Sequence, residues 1–213
     1  MAQYSVQILP SMRRIGIFAG TFDPVHRGHV AFAVEARRVC GLDEVVFLPE
    51  HRPRSKTGVT AIEHRLALLE LAVGRAAGLR VERLESAQFS VAATLPELRS
   101  RFPGAQFTLL VGSDVVASLQ RWDDIGRLLK EMRLAVGIRR GAAPELVADA
   151  MRSLERRCGY AADYTCISAP DNGEASSRIR DHPAGVSRLQ PGVLGYIRQH
   201  NLYQSGAKPR IVA

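Results

Sequence analysis

Two histidines three residues apart, His26 and His29, are the side chains in this sequence best placed to do chemistry. They follow a short apolar run and a turn, Gly20–Pro24, and they open a segment with helical spacing, 27–38. A strand, a turn and a helix in this order bring backbone N–H groups and the positive end of a helix dipole together. Both imidazoles share one face of the first helical turn, and Gly28 lets a ligand approach the backbone. The stretch therefore predicts a nucleotide-phosphate site.

The kind of phosphate site can be narrowed by the motifs that this stretch lacks. It contains no G-x-x-x-x-G-K-[ST], so it is not a P-loop, and no G-x-G-x-x-G follows the apolar run. The residues present, G-T-F-D-P-V-H-R-G-H, resemble the first motif of the nucleotidyltransferase superfamily, whose hallmark is (H/T)-x-G-H. The alternative interpretation is an ordinary strand-to-helix turn with two surface histidines.

Length, composition and charge place bounds on the function. The chain has 213 residues, 46% of them hydrophobic, and we expect one domain over 1–213 with tails at 1–13 and 204–213. Three cysteines without a C-x-x-C motif suit a reduced cytoplasm, and no long apolar run predicts a secretory signal or a membrane span. The net charge of +8 is compatible with RNA or with phosphate-rich small molecules. Dispersed arginines favour small molecules, so no nucleic-acid partner is expected.

Short apolar runs alternate with helical patterns along most of the chain, which is typical of an α/β fold. We expect a Rossmann-like, doubly wound parallel sheet of five to six strands with helices on both faces. Strands are predicted at 15–18, 45–48, 79–84, 107–111, 134–138 and 165–168. Helices are predicted at 27–38, 61–77, 92–101, 144–157 and 193–203.

Three features near the ends of predicted strands could bind ligand. The basic loop 50–58 carries Arg54 and Lys56, although composition alone allows a solvated loop equally well. Asp114 follows the fourth strand, where a carboxylate can bind a ribose hydroxyl or simply cap a helix. Trp122 stands among polar residues, which favours a half-exposed platform that stacks on a planar ring.

Further motifs extend the resemblance over nearly the whole chain. E-H-R-L-A-L-L-E-L-A-V (63–73), T-L-L-V-G-S-D (108–114) with Trp122, S-S-R-I-R (176–180) and Y-I-R-Q-H-N-L-Y (196–203) accompany the first motif. Together they resemble the bacterial nicotinate/nicotinamide mononucleotide adenylyltransferases. The resemblance implies adenylyl transfer from ATP to the 5′-phosphate of nicotinate or nicotinamide mononucleotide, giving the dinucleotide and pyrophosphate in NAD biosynthesis.

The resemblance also implies roles for individual residues. The catalytic residues would be His26, His29 and Arg180. ATP would be bound by Gly20, Thr21, Phe22, Gly28, Gly112, Asp114, Arg139, Ser176 and Ser177. The acceptor would be bound by Trp122, Arg54, Lys56, Phe89 and Thr94. Mg²⁺ would be held mainly by the ATP phosphates and water, because no cluster of carboxylates is visible in the sequence.

The acceptor side departs from the family pattern. Its P-P-H-(K/R) loop corresponds to P-R-S-K at 53–56, and its S-Y-T-x-x-T-L segment corresponds to F-S-V-A-A-T-L at 89–95. Two other functions therefore stay open: a related transferase with another phosphorylated acceptor, such as phosphopantetheine, and a protein that binds ATP or RNA without catalysis. Arg54 and Lys56 together would favour the nicotinate carboxylate over the amide. The sequence leaves open whether the chain forms a homo-oligomer.

Overall fold

A computed structural model describes residues 12–53, 56–74, 76–138, 144–168, 176–181 and 189–203. Its strands form one parallel sheet in the order β3-β2-β1-β4-β5-β6, which confirms the predicted fold class. The strands are β1 Arg14–Gly20, β2 Glu44–Pro49, β3 Leu79–Val81, β4 Gln106–Gly112, β5 Met132–Ile138 and β6 Tyr164–Ser168. The helices are α1 Arg27–Val39, α2 Ile62–Val73, α3 Val91–Arg101, α4 Ser113–Leu119, α5 Ile125–Glu131, α6 Pro144–Cys158, α7 Ser176–Asp181 and α8 Pro191–Gln199.

The sheet is covered on both faces, because its central strands are apolar at successive positions. Ile15 and Ile17 of β1 belong to the core cluster that also contains buried residues of α3, α4, α5 and α6. Phe18 of β1 belongs to the opposite cluster, with buried residues of α1, α2 and α8. The central strand is therefore held from both sides, and so is the turn that follows it.

Several predicted boundaries were wrong, each for a local reason. The helix predicted at 61–77 ends at Val73, since Gly74 has a φ of 56°. The last helix begins at Pro191 and ends at Gln199 instead of residue 203. The third strand has only three residues. Helices α4 and α5 were missed because seven residues are too few to show a clear helical period.

The strand order reverses between β1 and β4, which lie side by side in the sheet. The chain leaves β1 toward β2 and later returns to β4 on the other side. In open parallel sheets such a switch point leaves a crevice at the carboxyl ends of the strands, and ligands bind there. The turn after β1 and the start of α4 flank this crevice.

Candidate active site

The two histidines lie at the amino-terminal end of α1 and hold each other in place. His26 is the N-cap: Gly28 N donates to His26 Nδ1 (3.1 Å), and His26 N donates to His29 Nδ1 (3.2 Å). The two rings stack with their centroids 3.8 Å apart and their planes 32° apart. Because each Nδ1 accepts a backbone N–H, the proton of each neutral ring is assigned to Nε2. Both imidazoles are therefore hydrogen-bond donors at Nε2.

The turn before the histidines is packed tightly under them. Phe22 adopts a positive φ of 49°, and its ring is buried between Phe18 and His29, at centroid distances of 5.2 Å to each. A Cβ at Gly20 would come within 3.2 Å of the Phe22 ring, so the end of β1 has little space for a larger residue. This packing fixes the height of the His29 ring above the sheet.

The structure brings α7 onto this same turn from more than 150 residues away. Arg180 Nη1 donates to the carbonyl oxygen of Asp23, and the Ser176 hydroxyl donates to the carbonyl oxygen of Pro24 (3.0 Å). Ile179 is buried in the core cluster beside α1 and fixes the short helix there. Ser177 is exposed on α7. The first motif of the sequence and the S-S-R-I-R motif at 176–180 therefore meet at one place.

Asp114 lies in the first turn of α4, directly after β4. A Cβ at Gly112 would collide with the Asp114 carboxylate, so this side chain folds back over the end of the strand. β4 is the neighbour of β1, so the carboxylate lies at the edge of the crevice between them. The turn Gly20–Pro24, which leads into the two histidines and which we call the histidine turn, borders the same crevice.

Phe89, which is hydrogen-bonded through its backbone N to Glu50 just after β2, forms an aromatic pair with Trp122, with ring centroids 5.9 Å apart. Trp122 is half-buried, as its polar neighbours predicted. A groove of about 510 Å³ opens beside it, lined among others by Arg121 and Arg157.

Thr94, in contrast, is 0% exposed, and its Oγ1 accepts a hydrogen bond from Ser90 N (3.0 Å). Its burial argues against the predicted contact with an acceptor, and we interpret Thr94 as a support for this segment.

Lys56 lies nearer to the histidine turn than its place in the sequence suggested. Its Nζ donates to Thr21 Oγ1 (2.8 Å), so the cation borders the turn after β1. Arg54 and Arg139, which were also predicted to bind ligand, lie outside the described residues.

Comparisons with known proteins fit this geometry. Residues 17–182 match the family model described as cytidylyltransferase-like. The chain is 35% identical to the "probable nicotinate-nucleotide adenylyltransferase" of Neisseria meningitidis serogroup C, over 91% of this chain and 100% of the relative. It is 34% identical to the protein of the same name from Gemmatimonas aurantiaca, over 90% and 92%. The chain belongs to the nicotinate-nucleotide adenylyltransferase family.

A solved structure carries the same fold as this family member. The nicotinic acid mononucleotide adenylyltransferase of Plasmodium falciparum, complexed with NaAD, superposes with a TM-score of 0.72 at 19% identity. The superposition covers 90% of this chain and 97% of the parasite protein. At this level of identity, the likeness concerns the fold alone.

Sequence reasoning missed two residues that hold this adenylyltransferase site together. Arg65 of α2 is 1% exposed and donates to the carbonyl oxygens of Thr21 (2.8 Å), Thr60 (2.8 Å) and His51 (3.2 Å). Burial lowers the pKa of Arg65, and the charge of nearby Asp23 opposes that shift. The only signal in the sequence is the position of this cation, three residues after Ile62 on the buried face of α2.

Glu50 is the second missed residue. Its backbone N donates to the carbonyl oxygen of Gly20 (3.0 Å), while its Oε1 accepts from Phe89 N (3.1 Å). One residue after β2 thus ties the end of β1 to the segment that carries Phe89. A lone glutamate in a basic loop offered no sequence signal for this role.

Among the described residues, no group of three or more His, Cys, Asp or Glu side chains could hold a metal ion. Nor is any helix in the described ranges long and apolar enough to cross a membrane.

Proposed function

We propose that this chain transfers the adenylyl group of ATP to the 5′-phosphate of nicotinate mononucleotide, releasing pyrophosphate, as a step of NAD biosynthesis. The family membership supports a nucleotidyltransferase. The observation that carries the reaction is the stacked pair His26–His29 at the start of α1, with Arg180 held against the same turn.

The reaction needs alignment and charge neutralisation more than proton transfer. A phosphate oxygen of the mononucleotide attacks the α-phosphorus of ATP, a new P–O bond forms, and the bond to the β-phosphate oxygen breaks. The attacking group is already an anion at neutral pH, so no general base is required. The protein has to hold the two reactants in line and stabilise the charge that develops on the leaving pyrophosphate.

In this proposal the histidine turn and α7 perform that task. His26 and His29 donate from Nε2 to phosphate oxygens of ATP, and Arg180 supplies a fixed positive charge. The backbone from Gly20 to Phe22 lies along the nucleotide, and Gly28 keeps the helix start open to the phosphates. Ser176 and Ser177 close over them from α7.

The remaining proposed contacts concern the ribose and the acceptor. Asp114, at the end of β4 with Gly112, accepts hydrogen bonds from a ribose, and Trp122 stacks on the pyridine ring with Phe89 behind it. Arg139 and Arg54 keep the ligand roles that the sequence predicts for them.

Mg²⁺ fits this site as a cation bound by the substrates. The described donor set offers imidazoles and arginines where a protein-held Mg²⁺ needs several oxygen ligands, so the ATP phosphates and water would supply them. When bound, Mg²⁺ neutralises charge on the leaving pyrophosphate. We also place the protein in the cytoplasm, where ATP and its acceptor are found.

The test is pyrophosphate release from Mg-ATP, with nicotinate and nicotinamide mononucleotides compared at matched concentrations. The proposal expects release with nicotinate mononucleotide and a higher kcat/KM than with the amide. Release with the amide alone would correct the acceptor. Release with neither, but with phosphopantetheine, would assign the chain to another transferase. Binding of ATP or RNA without release from any acceptor would contradict the enzyme itself.

A further inference from the structure

Asp23 is a buried carboxylate in the middle of the histidine turn, and distant parts of the chain hold it. It is 3% exposed. Its Oδ1 accepts from the Tyr203 hydroxyl (2.6 Å), and its Oδ2 accepts from Thr60 N (3.2 Å). Arg180 Nη1 lies 4.0 Å from Oδ2 while it donates to the Asp23 carbonyl oxygen. The position of this turn therefore depends on a carboxylate that Tyr203 helps to fix from 180 residues away.

A reversal of the chain at the end of α8 brings Tyr203 to Asp23. Leu202 N donates to the carbonyl oxygen of Ile197 (3.0 Å), and Asn201 N donates to that of Arg198 (3.3 Å). With Asn201 at a φ of 50°, these bonds form a Schellman motif, which ends the helix and reverses the chain. Tyr203 itself has a φ of 58°. A left-handed conformation at a bulky residue persists only where its surroundings impose it, and here the hydrogen bond to Asp23 does so.

The Tyr203 hydroxyl is the donor in this bond. Burial, and then the neighbouring Asp23 carboxylate, raise the pKa of Tyr203 far above its usual range. The phenol therefore stays protonated, and the carboxylate accepts.

We propose that Tyr203 is a positioning residue for the adenylyl transfer: acting through Asp23, it fixes the turn that presents His26 and keeps Arg180 at the phosphate site. This inference rests on the proposed function. Without the hydroxyl, the buried Asp23 carboxylate lacks one donor. Arg180, whose Nη1 lies 4.0 Å from Oδ2, is the cation that replaces it, since the guanidinium of nearby Arg65 is already held by three carbonyl oxygens. Arg180 would then turn from the phosphates toward the carboxylate, and the turn would shift with it.

The first experiment compares Tyr203→Phe with Tyr196→Phe. Tyr196 is the matched control, since it lies on the same helix and its hydroxyl contacts His64 Nδ1 (3.0 Å), away from the turn. Tyr203→Phe should lower kcat about tenfold while the KM values for ATP and nicotinate mononucleotide change less than about twofold. Tyr196→Phe should leave kcat unchanged, although both variants lose a hydroxyl group from the same part of the chain. Equal kcat values for the two variants would overturn the proposal.

A second experiment tests whether Tyr203 acts through Asp23. Asp23→Asn keeps the size of the side chain but removes the charge that would attract Arg180. In this background, Tyr203→Phe should cost less than about threefold in kcat, because coupled residues are not additive. The same tenfold loss in both backgrounds would contradict a path through Asp23.

A third measurement is independent of the acceptor. In ¹⁵N-histidine spectra, Tyr203→Phe should shift the His26 and His29 ring signals, whereas Tyr196→Phe should shift those of His64. Unchanged His26 and His29 signals would overturn the positioning role, whether or not the wild type uses nicotinate mononucleotide. Shifted signals, with a wild type that releases no pyrophosphate, would overturn the proposed function alone.

Discussion

The two halves that we propose for the site are built in different ways. The centre of the proposed ATP half is one stretch, in which Gly28 N donates to His26 Nδ1, His26 N donates to His29 Nδ1, and Phe22 packs against His29. The acceptor half is assembled from three separate segments: the loop after β2, the segment before α3 that carries Phe89, and the loop before α5 that carries Trp122. The centre of the ATP half is a single turn held by its own hydrogen bonds, whereas the acceptor half consists of separate loops.

This difference suggests a division of labour. A turn whose donors are fixed by its own backbone needs no rearrangement as charge develops, which is what transition-state stabilisation requires. Loops that meet only through tertiary contacts can change one at a time, which suits the choice of an acceptor. We therefore expect changes in the ATP half to lower kcat or raise the KM for ATP, and changes in the acceptor half to raise the acceptor's KM.

We expect the loss of His29 to lower kcat more than any other single change in the site. His29→Ala removes a donor that we propose for the ATP phosphates, and we expect kcat to fall by a factor of about 100–1,000, or about 2–4 kcal/mol. Steady-state pyrophosphate release with both substrates saturating measures this directly. Near-normal turnover would remove His29 from the catalytic assignment and would break the contrast between the halves.

The control for this variant is His200→Ala. His200 is exposed at the end of α8, and its ring stacks on Tyr196 at a centroid distance of 4.1 Å. Its removal should leave kcat unchanged. Because His29 also caps the His26 N–H, thermal unfolding of both variants should be recorded to separate lost catalysis from lost structure.

Arg65 joins the two halves, and its removal should loosen both. Arg65→Met leaves three carbonyl oxygens, those of Thr21, His51 and Thr60, without the guanidinium donor that joins them. We expect the free energy of unfolding in urea to fall by about 2–3 kcal/mol. Arg38→Met is the comparison, because the Arg38 side chain is 72% exposed in its pair with Glu35, and its loss should leave the free energy of unfolding nearly unchanged. Equal losses would mean that Arg65 does not support the turn.

The same contrast explains what sequence reasoning could find. Strand, turn, glycine and histidines of the ATP half lie within 20 residues, so spacing alone places them, and the alternating apolar runs predict the parallel sheet. The role of Arg65 could not be found in this way, because helical periodicity gives a face but not the carbonyl oxygens that meet it. The contact between Asp23 and Tyr203 spans 180 residues and depends on a left-handed turn after α8.

The acceptor half shows a second limit of sequence reasoning. Thr94 lies in a segment that resembles a family motif, yet the structure buries it completely as a partner of Ser90 N. A motif identifies a segment, but burial decides which of its side chains can reach a ligand. Lys56 is similar, since the fold places its ammonium group on Thr21 of the other half.

Trp122 tests the acceptor half. Trp122→Ala should raise the KM for nicotinate mononucleotide about three- to tenfold, because a stacking surface for the pyridine is lost. The KM for ATP and kcat should change little. Trp122→Phe keeps an aromatic face, so its increase in log KM for nicotinate mononucleotide should be less than half of the increase for Trp122→Ala. If kcat falls while the acceptor's KM stays the same, the division of labour between the halves is wrong.

The smallest expected effect concerns Lys56, which crosses from one half to the other. Its ammonium group borders Thr21, so we expect Lys56→Met to weaken phosphate binding and to raise the KM for ATP about threefold. Arg52→Met, which removes another exposed cation from the same loop, controls for a general loss of positive charge. If Lys56 instead senses the pyridine carboxylate, its variant will change the ratio of kcat/KM between nicotinate and nicotinamide mononucleotides and leave the KM for ATP alone. The first result would assign Lys56 to the ATP half, and the second would return it to acceptor selection.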